Sequence, residues 1–280
     1  MIDRLKARRS RIAGILWALC GLLVAGQTLA HDTWLQRRAD ATPQRPMVVL
    51  GTGNLYPTVD SRDSFDQLAR SGCRAGGVTR APLSVGDPAA EDLVLAPAAS
   101  LPAGARISCW AQQQPMDVDF DDALVEVYFK EAQPPAGVRS AWAAQKARGQ
   151  RWAERFVKHA RLEWFPDPQA VADGPAEPSD LELDALLISP LKAPRVGQEA
   201  EFLVLKQGRP LRGQAVEFRV HHSRLGFWRR TDENGKVRLT LPSAGRWLLR
   251  GIELTPPLDD TQRWQGLFIT LAFDVLPAER

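Results

Sequence analysis

Residues 215–241 read AVEFRVHHSRLGFWRRTDENGKVRLTL. Val216, Phe218 and Val220 alternate with Glu217 and Arg219, the period-two pattern of a strand with one buried face. Asp232-Glu233-Asn234-Gly235 is a tight-turn sequence. Val237, Leu239 and Leu241 then resume the alternation. Upstream lie a strand at Glu201–Leu205 and a turn-rich connection, Gly208–Gly213 (GRPLRG). Downstream lie apolar runs at Trp247–Leu249 and Leu267–Val275. Several short strands within about 100 residues predict a β-sandwich, immunoglobulin-like or transthyretin-like, over 181–280.

The same grammar recurs nearer the amino terminus. Met47–Leu50, Ala81–Val85, Leu93–Leu95 and Arg106–Trp110 read as short strands separated by Pro and Gly, with a turn at Gly51-Thr52-Gly53-Asn54. Between the two β-rich blocks the spacing becomes helical. Leu124, Val127 and Tyr128 within Asp119–Glu131 predict one helix, with acids at its start. Trp142, Trp152 and Phe156 within Ser140–His159 predict a second. Residues 166–180 (PDPQAVADGPAEPSD) are rich in proline and acids and read as an exposed linker. The expected organisation is mainly β, with two sandwich domains: 31–165, carrying the helices near 119–131 and 140–159, and 181–280.

Residues 1–30 have their own character. Five basic groups precede the apolar run Ile12–Gly26, and Thr28-Leu29-Ala30 is a small-x-small exit. That order describes a cleavable secretory signal peptide. The apolar run is shorter than the ~20 residues a bilayer needs. Leu19 before Cys20 does not suit lipidation, and Ser10-Arg11 after Arg8-Arg9 fits twin-arginine export poorly. Cleavage would make the chain periplasmic and start it at His31. The whole chain of 280 residues carries +3. Removing five basic groups and one acid from the 36 and 33 leaves about −1. Nucleic acid is thereby excluded as a bulk electrostatic partner, and the processed protein is not expected to be integral to a membrane. Two cysteines remain, Cys73 and Cys109, and an oxidising compartment predicts a disulfide between them.

Several segments resemble the domain-of-unknown-function 4198 family of exported bacterial proteins. They are His31-Asp32-Thr33-Trp34-Leu35, Leu124–Glu131 (LVEVYFKE), Ala147–Leu162, GRPLRG, Thr231–Gly235 (TDENG), Ala244–Leu249 (AGRWLL) and Arg263–Phe273 (RWQGLFITLAF). The resemblance implies two extracytoplasmic β-rich domains and a divalent-metal link, since members were once labelled nickel-uptake components. It implies no reaction.

Four histidines could carry metal chemistry. At a processed terminus, the α-amine and imidazole of His31 can chelate Cu²⁺ or Ni²⁺ together. Strand phase points His222 inward with Val216, Phe218 and Val220, and His221 outward. His31 and His222 are therefore the candidate metal ligands, and His159 is expected to end a helix. Asp117, Asp119, Asp121 and Asp122 lack the Gly and distal Glu of a calcium loop and read as a helix start. Arg219, Arg224, Arg229 and Arg230 around Phe227-Trp228 read as a solvated hairpin. No GxSxG, HExxH or CxxC motif is present, and Gly51-Thr52-Gly53 has Tyr56 where a dinucleotide fingerprint needs a third glycine. The expected function is a non-enzymatic accessory protein that binds nickel, cobalt or copper, or supports its uptake with an outer- or inner-membrane transport component. The alternatives are a metal-free sandwich module for a protein or glycan, and a copper enzyme with an amino-terminal histidine brace.

Overall fold

A computed structural model describes residues 31–75, 79–101, 104–259 and 261–279. The signal peptide expected over 1–30 lies outside them. Asp32–Arg280 forms a compact, mainly β unit of stacked sheets. In chain order its elements are β1 (Asp32–Arg37), β2 (Val48–Gly53), β3 (Ser61–Arg62), β4 (Leu68–Ala75), β5 (Thr79–Ala81), β6 (Leu83–Asp87), β7 (Leu93–Pro97), β8 (Ile107–Gln113) and β9 (Met116–Phe120). Two helices follow, α1 (Asp122–Ala132) and α2 (Ala136–Ala147). Then come β10 (Trp152–Trp164), β11 (Leu183–Ser189), β12 (Glu199–Lys206), β13 (Arg209–Pro210), β14 (Ala215–Val220), β15 (Gly226–Arg230), β16 (Lys236–Thr240), β17 (Gly245–Thr255) and β18 (Trp264–Val275). Among the described residues no helix is long and apolar enough to cross a membrane.

The alternation at Val216, Phe218 and Val220 builds β14, and the central sheet grows from it. Its order is β15-β14-β17-β18-β10-β8-β4-β5, with β9 also paired to β10. β10 and β18 run parallel from Glu154↔Trp264 to Glu163↔Phe273. The two blocks expected on either side of 166–180 thus share one sheet. Both faces of that sheet are covered. On one, Trp34, Leu35, Leu50 and Leu95 from the β1-β2-β7-β6 sheet pack on Ala160, Leu162, Leu248 and Ala272. Beside them α1 and α2 press Tyr128, Phe129 and Trp142 onto Trp152, Ile252, Trp264 and Phe268. On the other, Leu187, Phe202 and Leu239 from the β11-β12-β16 sheet meet Phe218, Leu249, Ile269 and Phe273. Truncating one such buried leucine to alanine costs about 2–5 kcal/mol.

Three local expectations are corrected. The helix expected over 140–159 stops at Ala147, Gly149 takes φ 77°, and β10 begins at Trp152. A central strand covered on both faces shows no alternation. The charges of β10 instead neutralise one another inside: Arg161 Nε donates to Glu163 Oε1 at 2.7 Å and its Nη1 to Asp184 Oδ2 at 2.9 Å. His159 is buried in that strand, not at a helix end. Its Nδ1 donates to the Phe268 carbonyl at 2.8 Å, and burial depresses its pKa to about 4. Finally, Gly51 to Gly53 do not turn but extend β2. A Cβ on Gly51 would stand 3.1 Å from Trp34 Nε1 and 2.6 Å from Val59, so glycine lets the indole lie on the strand.

The cysteine expectation holds. Cys73 and Cys109 are register partners across β4 and β8 and form a disulfide.

Candidate functional site

Besides the Arg161 grouping, two polar groupings interrupt the apolar layers. The first is closed. Arg250 lies on β17 between Leu248 and Ile252, on the face that β1 covers. Its Nε donates to Asp32 Oδ1 at 2.9 Å, with Oδ2 of the same carboxylate 2.7 Å away, and its Nη1 donates to Glu217 Oε2 at 3.2 Å. Arg219 Nη2 shares Glu217 at 2.6 Å. Thr270, the register partner of Arg250 on β18, donates to the Thr33 carbonyl at 2.6 Å. Thr52 and Gln113 donate to the Asp63 carboxylate at 2.8 and 2.6 Å. Burial alone would lower the Arg250 pKa, but Asp32 and then Glu217 and Glu131 override it and raise it. Burial likewise raises Asp63 and Glu131 and lowers Lys158, which faces Asp32 and Asp63. Arg250, Asp32, Glu217 and Arg219 already hold one another's charge, so this part of the layer fixes strands and has little left to offer a ligand.

The second grouping is open. A cleft of about 730 Å³ runs between the end of β1 and the β17–β18 ends. Gln36, Arg37, Tyr56, His221, Arg246 and Asp274 line it. Tyr56 is buried, its ring edge-on to Trp34 with centroids 5.5 Å apart. Burial raises its hydroxyl pKa, Asp274 adds to the rise, and the phenol stays protonated at neutral pH. Burial also raises Asp274, against the pull of Arg37 and Arg246. Gln36 Oε1 and His221 Nδ1 are buried with no hydrogen-bond partner among the described residues. Leaving such atoms unpaired costs about 1–3 kcal/mol each. The lining therefore offers acceptors, donors and both signs of charge, without an activated nucleophile.

His221 reaches this cleft because the strand phase lapses. β14 ends at Val220, and His222 takes φ 59° with its N–H donating to the Tyr56 carbonyl at 2.9 Å. His222 is exposed and His221 half-buried, the reverse of the expected directions. Gly245 makes room: a Cβ there would meet the His221 ring at 2.7 Å. His31 is half-buried. No group of three or more His, Cys, Asp or Glu side chains among the described residues could hold a metal ion.

The other expected residues fall into structural roles. Asp121 caps α1 by accepting from Leu124 N–H at 2.8 Å. Asp117 and Asp119 belong to β9 and pair with Arg155 and Arg263 at 2.7 Å each. Arg230 donates to the Gly213 and Gln133 carbonyls, and Phe227 stacks on Trp247 with centroids 6.1 Å apart. Sequence reasoning missed Gln36, Asp274, Arg246 and the role of Tyr56. Only the alternation of β18, which puts Asp274 out of phase with Phe273 and Val275, could have flagged one of them.

Residues 28–252 match a family described as Domain of unknown function (DUF4198). No curated protein matches the chain.

Proposed function

The chain belongs to the DUF4198 family, and we propose that it works after export to the periplasm as a non-enzymatic binding protein. Its ligand is polar and hydroxyl-rich, of the glycan class, and enters the cleft at Tyr56. One observation carries this reading: two buried side-chain atoms without hydrogen-bond partners among the described residues, on Gln36 (Oε1) and His221 (Nδ1), belong to residues lining the same cleft. Hydroxyl groups both donate and accept, and would answer Gln36 Oε1, the protonated Tyr56 and Asp274 together. The Cys73–Cys109 disulfide supports an oxidising compartment. The test is a melting-temperature screen against a saccharide panel. A saccharide that raises Tm with or without EDTA, and fails to do so for Gln36→Leu and His221→Ala, supports the reading. No shift with any saccharide, or a shift that both variants keep, sinks it.

A second reading keeps nickel, cobalt or copper at His31, for delivery to a transport component of the inner or outer membrane. It is favoured by the residue that follows: Asp32 is tied to Arg250 at 2.7 Å, so β1 begins from a fixed point. Intact mass and metal content of the secreted protein test it. A terminus at His31 with ion binding lost in His31→Ala supports it, and equal binding by that variant rejects it. His222, exposed at its turn, is not required by either reading.

A further inference from the structure

A second cavity, of about 390 Å³, opens where residues 172–177 lie over β4 and the start of β8. Two arginines line it. Arg106 is only 7% exposed. Its guanidinium lies over the Phe165 ring, 5.0 Å from the centroid, and its Nη1 donates to the Gly174 carbonyl at 3.3 Å. Its Nε and Nη2 are buried and unpartnered among the described residues. These two N–H groups share one edge of the guanidinium, the edge that grips a carboxylate or phosphate with two parallel bonds. The nearest acid, Glu163, stands 3.7 Å from Nε, too far for a hydrogen bond. Both its oxygens are engaged, by Arg161 and by Ser108 at 2.7 Å each. Across the cavity Arg74 also has a buried, unpartnered Nε, while its Nη1 is held by the exposed Glu177.

The formal charges of the lining balance, Arg74 and Arg106 against Glu177 and the exposed Asp173, while Arg161 behind them is held between Glu163 and Asp184. What does not balance is the donor count. Three buried guanidinium nitrogens have no acceptor among the described residues, and the cavity falls within the roughly 300–1,000 Å³ of small-ligand sites. Glu177 is already a carboxylate docked on one of the two arginines, but on an exposed arm that an entering anion can displace.

We propose that this cavity binds a small oxyanion side-on to Arg106, with Arg74 as second cation and Glu177 as the competing internal carboxylate. The site is separate from the Tyr56 cleft and does not depend on it. Burial lowers the Arg106 pKa, against Glu163, as expected of a cation short of partners.

Calorimetric titration of the purified protein at low ionic strength tests this, with succinate and inorganic phosphate as probes and chloride as control. Saturable binding of either probe supports the proposal, and the tighter one tells an organic acid from free phosphate. Arg106→Gln should weaken that binding by at least about tenfold, the loss of roughly 1.4 kcal/mol. Arg74→Gln should weaken it too, and serves if Arg106→Gln fails to fold. Glu177→Gln should tighten it, which a merely structural role for these residues would not produce. Neither probe binding more tightly than about 10 mM overturns the proposal. So does binding that both arginine variants retain.

Discussion

Arg250 and Arg106 are both buried arginines, and they reach opposite faces of the same sheet. Arg250 faces β1, on the side of Leu248; Arg106 approaches Glu163, on the side of Arg161. Arg250 has Asp32 and Glu217 within 3.2 Å and its pKa is raised. Arg106 has one carbonyl at 3.3 Å and a carboxylate at 3.7 Å, and its pKa is lowered. Burial penalises both cations alike. The difference lies in the partners that repay it. A saturated guanidinium holds strands in register, and an unsaturated one keeps binding capacity that folding did not use.

Breaking the saturated side should have the largest effect. Arg250→Met removes the cation that holds Asp32 at 2.7 Å and leaves it only the Coulombic pull of Lys158, while Glu217 keeps Arg219 at 2.6 Å. Stranding a buried charge in this way costs about 3–5 kcal/mol, read as a lower urea midpoint. Adding Asp32→Asn to that variant should recover part of the loss, because the stranded charge goes with it. If the double variant is no better than the single one, the pair is not what holds β1 to β17.

A buried carboxyl group with no ion pair among the described residues extends the comparison. Glu154 is buried in the aromatic cluster under α1, accepting from Trp152 Nε1 at 2.8 Å and the Tyr128 hydroxyl at 2.9 Å. Burial lifts its pKa from 4.5 to about 7, against those two hydrogen bonds. The fold therefore favours its protonated form. Its destabilising contribution is absent below the unfolded value of 4.5 and complete above about 7. His159 works in the opposite sense. The fold favours its neutral form, so stability is full above 6.5 and is lost as pH falls towards about 4. Each is worth on the order of 3 kcal/mol at about 1.4 kcal/mol per pH unit. In the intact protein the two nearly cancel between pH 6.5 and 4.5. Glu154→Gln should uncover the histidine, so that stability drops by about 3 kcal/mol from pH 6.5 to 4. Denaturation midpoints across that range check it. A variant profile parallel to that of the parent would refute the assignment of Glu154.

How much of this was legible in the sequence follows from the same contrast. β14 and β16 were readable because their apolar residues recur at a regular period, and β17 and β18 because they contain continuous apolar runs. The Cys73–Cys109 bridge was readable from a cysteine count and the compartment that residues 1–30 lead one to expect. β10 was not, because Glu154, His159, Arg161 and Glu163 look like a helix surface when their partners are unknown. Two of those partners, Asp184 of Arg161 and Phe268 of His159, lie 23 and 109 residues away along the chain. The Tyr56 cleft was hidden for a related reason. Gln36, Tyr56, His221 and Asp274 come from separate parts of the chain, and His221 enters only because β14 ends one residue before it. Local periodicity reports which residues leave water, but not which charged residues will meet inside.

The smallest expected effect is on the unsaturated side. Arg106→Gln should cost less than about 1.5 kcal/mol in buffer free of oxyanions, because Nε and Nη2 have no hydrogen bonds to lose among the described residues. The variant gives up the contact with Phe165 and the 3.3 Å bond to Gly174. Glu163 does not become an isolated charge, since Arg161 and Ser108 each hold it at 2.7 Å. Urea denaturation of parent and variant in chloride buffer gives the comparison directly. A loss as large as that of Arg250→Met would make Arg106 a structural cation like its counterpart. A small loss, with succinate or phosphate then stabilising the parent alone, would identify a cation that folding buried without using.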